Sequence, residues 1–280
     1  MKWKSVAVIG VGLIGGSVGM ALRQRGLAEE VVGIGRRQES LKLAKQVGAV
    51  TKTTIDLAKG VAGSELIVVC TPVSQIVAHV KAAAKTCPEG ALITDCGSTK
   101  AEIVEQIGHD LGRGVRFLGS HPLAGSERSG PTEAHPDLFD KRAVVITPTS
   151  ETSDDDFNTL LDFWTDLGAR AFEMSPIGHD RAVASTSHIP HALAAALATS
   201  TPTEFFPLAG GGLLDTTRIA AGDPELWQQI FLSNRRNVLL ALEPLEEAIN
   251  AFRTAMIAGD KQAIVDFLTR GKRNRDALGS

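Results

Sequence analysis

Val6-Ala7-Val8-Ile9-Gly10-Val11-Gly12-Leu13-Ile14-Gly15 is the stretch that decides the fold: an apolar, β-branched run enters a GxGxxG hexad directly. The run reads as a strand over 6–9, and Leu13–Arg25 has the spacing of an amphipathic helix. In a strand–turn–helix of this kind Gly10 permits the tight turn and Gly12 lets the backbone approach a pyrophosphate. Gly15 allows close helix–strand packing, and the helix start at Leu13 and Ile14 offers amide donors and a positive dipole end. A hexad alone can serve packing. Between the first strand and first helix of an alternating chain, it points to a bound dinucleotide.

Outward from this turn the alternation continues. Strand candidates follow at Val31–Ile34, Leu66–Val69, Ala91–Thr94, Arg116–Leu118, Ala143–Thr147 and Arg170–Phe172, with helical stretches near Gln75–Lys85, Lys100–Ile107 and Asp154–Leu167. Short apolar strands alternating with helices build βαβ units and a mostly parallel sheet. The closely spaced runs after residue 116 suggest an added antiparallel edge. After Met174-Ser175-Pro176 the strand signals stop, and Asp180–Ser200, Pro224–Ile257 and Lys261–Leu268 favour helix, interrupted by Pro202–Asp215 with its Gly210-Gly211-Gly212 run. The expected architecture is an α/β Rossmann-type dinucleotide-binding domain over residues 1–174. An all-α domain over 175–280 follows, suited to substrate binding and to an interlocked homodimer.

Composition narrows the function classes. The 280 residues are 43% hydrophobic and 22% charged, as in an ordinary globular protein rather than a disordered or disulfide-scaffold chain. Lys plus Arg is 29 against 32 for Asp plus Glu, so no basic excess exists to hold nucleic acid. Cys70, Cys87 and Cys96 have neither metal nor redox spacing and read as reduced thiols. No stretch approaches the roughly 18 apolar residues of a membrane span, and the start lacks the pattern of a signal peptide. The cytoplasm is the expected location, without a membrane partner. The chain contains no tyrosine, so a Tyr–Lys catalytic pair is ruled out.

The second strand ends in Gly35-Arg36-Arg37, where NAD enzymes usually carry an acid for the ribose hydroxyls. Two guanidiniums and no carboxylate suit a 2′-phosphate, so the expectation favours NADP over NAD; the plainer reading is two solvated arginines before a helix. Cys70-Thr71-Pro72 and Asp95-Cys96-Gly97-Ser98-Thr99-Lys100 end two further strands, and ligands collect beyond the carboxyl ends of parallel strands. Thr71 and Pro72 thereby join the expected cofactor site. Lys100, in a helix's first turn, is expected to be solvated.

Seven histidines occur. His79, His109 and His135 have no polar company and are expected on the surface, and His179-Asp180 reads as a helix start with Asp180 near the cap. His121 lies in the glycine-punctuated Gly119-Ser120-His121-Pro122-Leu123-Ala124-Gly125-Ser126-Glu127, a turn that does not look like core. His188 and His191 flank Pro190, but a third ligand at metal-site spacing is missing, so no metal is expected. A positioned histidine is the commonest general acid–base group.

These residues resemble the prephenate/arogenate dehydrogenases of tyrosine biosynthesis over nearly the whole chain. The resemblance is carried by the glycine loop, Cys70-Thr71-Pro72, Asp95–Lys100, the segment around His121, and Ser187–His191. It extends to Gly210–Gly212, Asp215-Thr216-Thr217-Arg218-Ile219-Ala220 and Asp223-Pro224-Glu225-Leu226-Trp227. It implies oxidative decarboxylation of a cyclohexadienol: a hydride leaves C4 for the nicotinamide, a base takes the hydroxyl proton, and loss of carbon dioxide aromatises the ring. His121 would be the base, and Ser98 would bond near the hydroxyl and the nicotinamide. His188 and Arg218 would bind substrate groups, Arg218 a carboxylate; Ser126 and Glu127 are candidates for the substrate side chain. Trp227 reads as packing, and His191 as packing or orienting its neighbours.

Two other readings remain: a reductase of small hydroxyacids or imines with the same two-domain plan, and a dinucleotide sensor without chemistry. Neither needs His121 in a Gly-Ser-His-Pro turn together with Arg218.

Overall fold

The computed structural model describes residues 3–125 and 128–279. Strand β1 (Trp3–Ile9) is buried at nearly every position, because a central strand of a parallel sheet is covered on both faces. Its alternation splits it between two cores: Val6 and Val8 join Val18, Leu22 and Trp164 on one face, Ala7 and Ile9 join Ile67, Ile76 and Ile93 on the other. Around it lie β2 (Ala28–Ile34), β3 (Lys52–Thr54), β4 (Leu66–Val69), β5 (Leu92–Asp95) and β6 (Arg116–Phe117), in the order β3-β2-β1-β4-β5-β6 and parallel throughout. The crossovers carry α1 (Leu13–Gln24), α2 (Gln38–Gln46), α3 (Leu57–Val61), α4 (Val73–Ala84) and α5 (Ala101–Ile107). Because the order reverses direction at β1, the crevice for a ligand opens over the carboxyl ends of β1 and β4.

Of the short runs from residue 116 onward, only Arg116–Phe117 edges this sheet, and it does so in parallel as β6 rather than as the expected antiparallel edge. The others form a second, three-stranded sheet: β7 (Gly119–Pro122) runs antiparallel to β8 (Ala143–Thr147), which pairs in parallel with β9 (Arg170–Glu173) across α6 (Asp154–Asp166). Ser153 caps α6 and three aspartates fill its first turn, where the dipole favours negative charge.

The helical half starts at α7 (Pro176–Val183), capped by Ser175 rather than near Asp180. The helix expected over 180–200 widens into one π-turn, Ala184–His188, before α8 (Ile189–Ser200). Pro190, lacking an N–H, cannot extend the regular ladder through this point. A 3-10 stretch (Thr203–Leu208), α9 (Gly211–Thr217) and a second 3-10 turn (Arg218–Ala221) occupy the region expected to break. The single helix expected over 224–257 is two, α10 (Pro224–Ser233) and α11 (Arg235–Ala258), because Asn234 turns its side chain inward to hydrogen-bond Asp180 and His188. Residues up to Asn234 form one compact unit, and α11 with α12 (Lys261–Ala277) forms a second in which Phe252 meets Phe267. Among the described residues no helix is long and apolar enough to cross a membrane.

Candidate active site

The glycine loop can only be glycine where it turns. Gly10 has φ +96°, and a Cβ there would lie 2.6 Å from the Cys70 carbonyl oxygen; one on Gly15 would strike the Gly10 carbonyl. Gly12 is different: a Cβ would meet nothing, so its backbone faces open space. It caps α1 without a side-chain hydrogen bond, and no acid sits in the first turn. The first amides of the helix, at Leu13 and Ile14, are therefore left for an anion, and the loop fits a pyrophosphate. Arg36 and Arg37 are exposed after β2. Thr71 and Pro72 follow β4, with Pro72 at the start of α4. His79 has the polar company that local sequence did not reveal: its Nδ1 lies 3.1 Å from Thr71 Oγ1. Burial, and then the Arg36 charge, hold its pKa below the ordinary value.

At the end of β5 a buried network replaces the expected solvated lysine. Lys100 is 0% exposed, pairs with the buried Asp95, and donates to the Ser120 carbonyl at 3.0 Å. The Asp95 carboxylate also accepts from Gly97 N at 2.8 Å, while its backbone carbonyl accepts from Ser120 Oγ at 2.7 Å. Trp164 Nε1 donates to the same Ser120 hydroxyl. A buried charge is tolerable only when paired and hydrogen-bonded, and here the pair ties β5 to β7. That bond fixes the residue next to Ser120.

This neighbour is His121. It occupies strand β7, paired with Val145 of β8, and is 8% exposed, not in an open turn. Its Nδ1 lies 2.8 Å from His179 Nε2, and His179 Nδ1 lies 2.8 Å from Asp180 Oδ1. Asp180 in turn accepts from the backbone N–H of Lys100 (2.7 Å) and of Ala101 (2.9 Å) at the start of α5. A carboxylate only accepts, so His179 donates from Nδ1. For an uncharged His179 ring, Nε2 then accepts, and His121 donates from Nδ1. The chain of bonds leaves the lone pair of His121 on Nε2. Burial, helped by His179, Lys100 and His188, keeps the His121 pKa well below 6.5, so the ring is neutral near pH 7.

The helical half supplies a second group. His188 is 1% exposed and its Nδ1 lies 3.2 Å from Asn234 Nδ2, which also donates to the Asp180 carbonyl at 2.7 Å. Burial lowers its pKa to about 4. His191 stacks on Trp227 with centroids 3.6 Å apart and an interplanar angle of 12°. Its Nδ1 is buried with no hydrogen-bond partner among the described residues. Gly222 faces this stack, and a Cβ there would lie 2.6 Å from Trp227 Nε1. Arg218 opens the 3-10 turn that precedes Gly222 and packs on α8. Histidine, indole and guanidinium thus come from adjoining segments. No group of three or more His, Cys, Asp or Glu among the described residues could hold a metal ion.

A model of the prephenate dehydrogenase nucleotide-binding domain matches residues 18–173, and one of its dimerization domain matches 175–270. The chain belongs to the prephenate dehydrogenase family. A prephenate dehydrogenase of Bacillus subtilis is 31% identical, covering 98% of this chain and 76% of that one. The crystal structure of prephenate dehydrogenase from Aquifex aeolicus with hydroxyphenyl propionate and NAD+ superposes with a TM-score of 0.91 at 31% identity, over 99% of both chains. Synechocystis arogenate dehydrogenase superposes at 0.81 with 28% identity, over 98% of this chain and 99% of that one.

Of the family-implied residues, Ser98 is half-buried in the turn between β5 and Lys100, and Thr99 beside it bonds Ser233 of α10 at 3.1 Å. Ser126 lies outside the described residues, as does Glu127. Sequence reasoning missed His179 and Asp180, which support the histidine, and the buried role of Lys100. The signal for Lys100 was available: an aspartate ending an apolar strand five residues earlier can pair with a lysine that the following turn folds back.

Proposed function

We infer that this chain carries out the NAD(P)-dependent oxidative decarboxylation of prephenate or arogenate with His121 as its base. The single observation that carries the role is the bond series from Asp180 through His179, which leaves His121 Nε2 as an acceptor in a nearly closed site. A bound nicotinamide dinucleotide supplies the hydride acceptor. Gly10, Gly12, Leu13, Ile14 and Gly15 cradle its pyrophosphate, Thr71 and Pro72 line the crevice, and Arg36 and Arg37 receive the 2′-phosphate of NADP.

His121 Nε2 takes the proton of the substrate's C4 hydroxyl, and the oxygen's electron pair drives out the C4 hydride. The ring, now a dienone, expels its carboxylate as carbon dioxide, and the electrons of that bond aromatise it. The phenolate oxygen then takes back the proton held on His121, so no proton is lost in the step. Ser98 hydrogen-bonds the hydroxyl. Arg218 holds a carboxylate by its planar fork, and His188, whose Nδ1 is occupied by Asn234, donates from Nε2 to the substrate. Ser126, outside the described residues, is a candidate for the substrate side chain by its place in the sequence after the histidine segment.

The functional division at residue 174 separates the nucleotide-binding part from the substrate part. The match of the second part to a dimerization domain, together with Leu239, Leu240, Ile249 and Ile257 exposed on α11, supports a homodimer, with the cytoplasm as its proposed location. Incubation with prephenate or arogenate, each with NADP and with NAD, should produce reduced cofactor by absorbance and release carbon dioxide. No reduction with any of the four combinations would overturn the reading.

A further inference from the structure

Strands β2 and β4 flank β1 on opposite sides, so groups leaving their carboxyl ends face one another across the turn of the glycine loop. From the β2 side comes Arg36. From the β4 side come Thr71 and, within α4, His79. The buried face of α4 is made by Ile76, Val80 and Ala83, and His79 lies beside that face, half-buried. Thr71 is anchored on the loop: its methyl group sits 3.1 Å from where a Cβ on Gly10 would be. Its hydroxyl lies 3.1 Å from His79 Nδ1. When that hydroxyl donates, the imidazole carries its proton on Nε2 and presents one fixed N–H. Burial, with the Arg36 charge, disfavours protonation of the ring, so the imidazole offers its N–H as a neutral donor.

We propose that His79 is a third member of the cofactor's 2′-phosphate site, donating from Nε2 to the phosphate that Arg36 and Arg37 hold. The proposal rests on reading the two arginines as NADP ligands. Two exposed guanidiniums on a loop attract an anion but locate it poorly, since solvent screens them and their side chains are mobile. A half-buried imidazole fixed through Thr71 to the glycine loop adds a donor at a set position. A phosphate between Arg36 and His79 accepts from both, from the guanidinium's charged fork and from the neutral imidazole's N–H. His79 therefore discriminates NADP from NAD, and the carboxyl ends of β2 and β4 read the same phosphate from two sides.

The test is calorimetric binding of adenosine 2′,5′-bisphosphate and of 5′-AMP to the full chain. His79→Asn keeps an amide where Nδ1 bonds Thr71 but removes the Nε2 donor; His79→Gln places an amide near Nε2. His79→Asn should weaken the bisphosphate by ~10-fold, the worth of about one charge-assisted hydrogen bond, and 5′-AMP by less than about twofold. His79→Gln should recover part of the loss, with the thermal melting temperature of both variants near that of the parent. Equal weakening of both ligands, or none, overturns the role of His79 while leaving the arginine reading intact if the parent prefers the bisphosphate. A parent that binds both ligands alike overturns the two readings together.

Discussion

Replacing His179 by asparagine isolates what the second histidine does for the first. The shorter amide retains a donor where Nδ1 meets Asp180, but nothing reaches His121 Nδ1. Because His121 is nearly buried and His179 fully so, water cannot fill in for the lost acceptor. An unsatisfied buried N–H costs ~1–3 kcal/mol, and the His121 ring escapes that cost by moving its proton to Nε2 or by rotating. Either response removes the lone pair that accepts the substrate proton. At about 1.4 kcal/mol per factor of ten, kcat should fall ~10–100-fold. The KM for dinucleotide should hold, because the His179 ring bonds His121 and Asp180 rather than the glycine loop. Steady-state kinetics at saturating cofactor measures the split. His179→Gln, whose carbonyl reaches about as far as Nε2, should restore part of kcat. A folded His179→Asn protein with the kcat of the parent would refute the reasoning.

Four further outcomes follow from the same geometry. His121→Asn should lower kcat by ~10²–10⁴-fold with dinucleotide affinity unchanged by fluorescence titration; retained turnover would remove His121 from its role. Because burial holds the His121 pKa below 6.5, the base should stay neutral and kcat flat through that pH, declining only in more acidic solution; an acid limb centred above 6.5 in kcat would contradict this. Arg36→Asp should reverse the ratio of kcat/KM for NADP over NAD, and an unchanged ratio would return the arginine to a solvated role. Stability should also track His188. Its pKa is near 4 when folded and about 6.5 unfolded, so the unfolded chain alone gains a proton as pH drops between these values. Stability is full above pH 6.5 and declines by about 3 kcal/mol by pH 4, read by denaturant melts in which His188→Gln flattens the slope.

What could be read from sequence was local in the chain. The glycine loop announces itself because strand, turn and helix start are contiguous; the steric demand at Gly15 comes from the Gly10 carbonyl within the turn, while that at Gly10 comes from Cys70, just past β4. The segment around His121 stood out as a motif, yet its burial did not, because that depends on pairing with β8 and on the roof formed by α7. His179-Asp180 looked like an ordinary helix start, since a serine and a proline precede it. Only folding puts Asp180 on the first amides of α5. The break at Asn234 was hidden for a similar reason: its neighbours favour helix, and the partners that draw it inward lie at Asp180 and His188.

The supports of His121 come from far along the chain. His179 is 58 residues from His121, and the Asp180–Lys100 bond spans 80. Such closures form late, since loop entropy must be overcome before the contact contributes. The glycine loop closes elsewhere, on the carboxyl ends of β2 and β4, where Gly10 meets the Ile34 and Cys70 carbonyls. A chain whose α7 has lifted can thus keep its pyrophosphate cradle while its histidine lacks a defined proton position. Dinucleotide capture and proton removal therefore rest on separate parts of the fold.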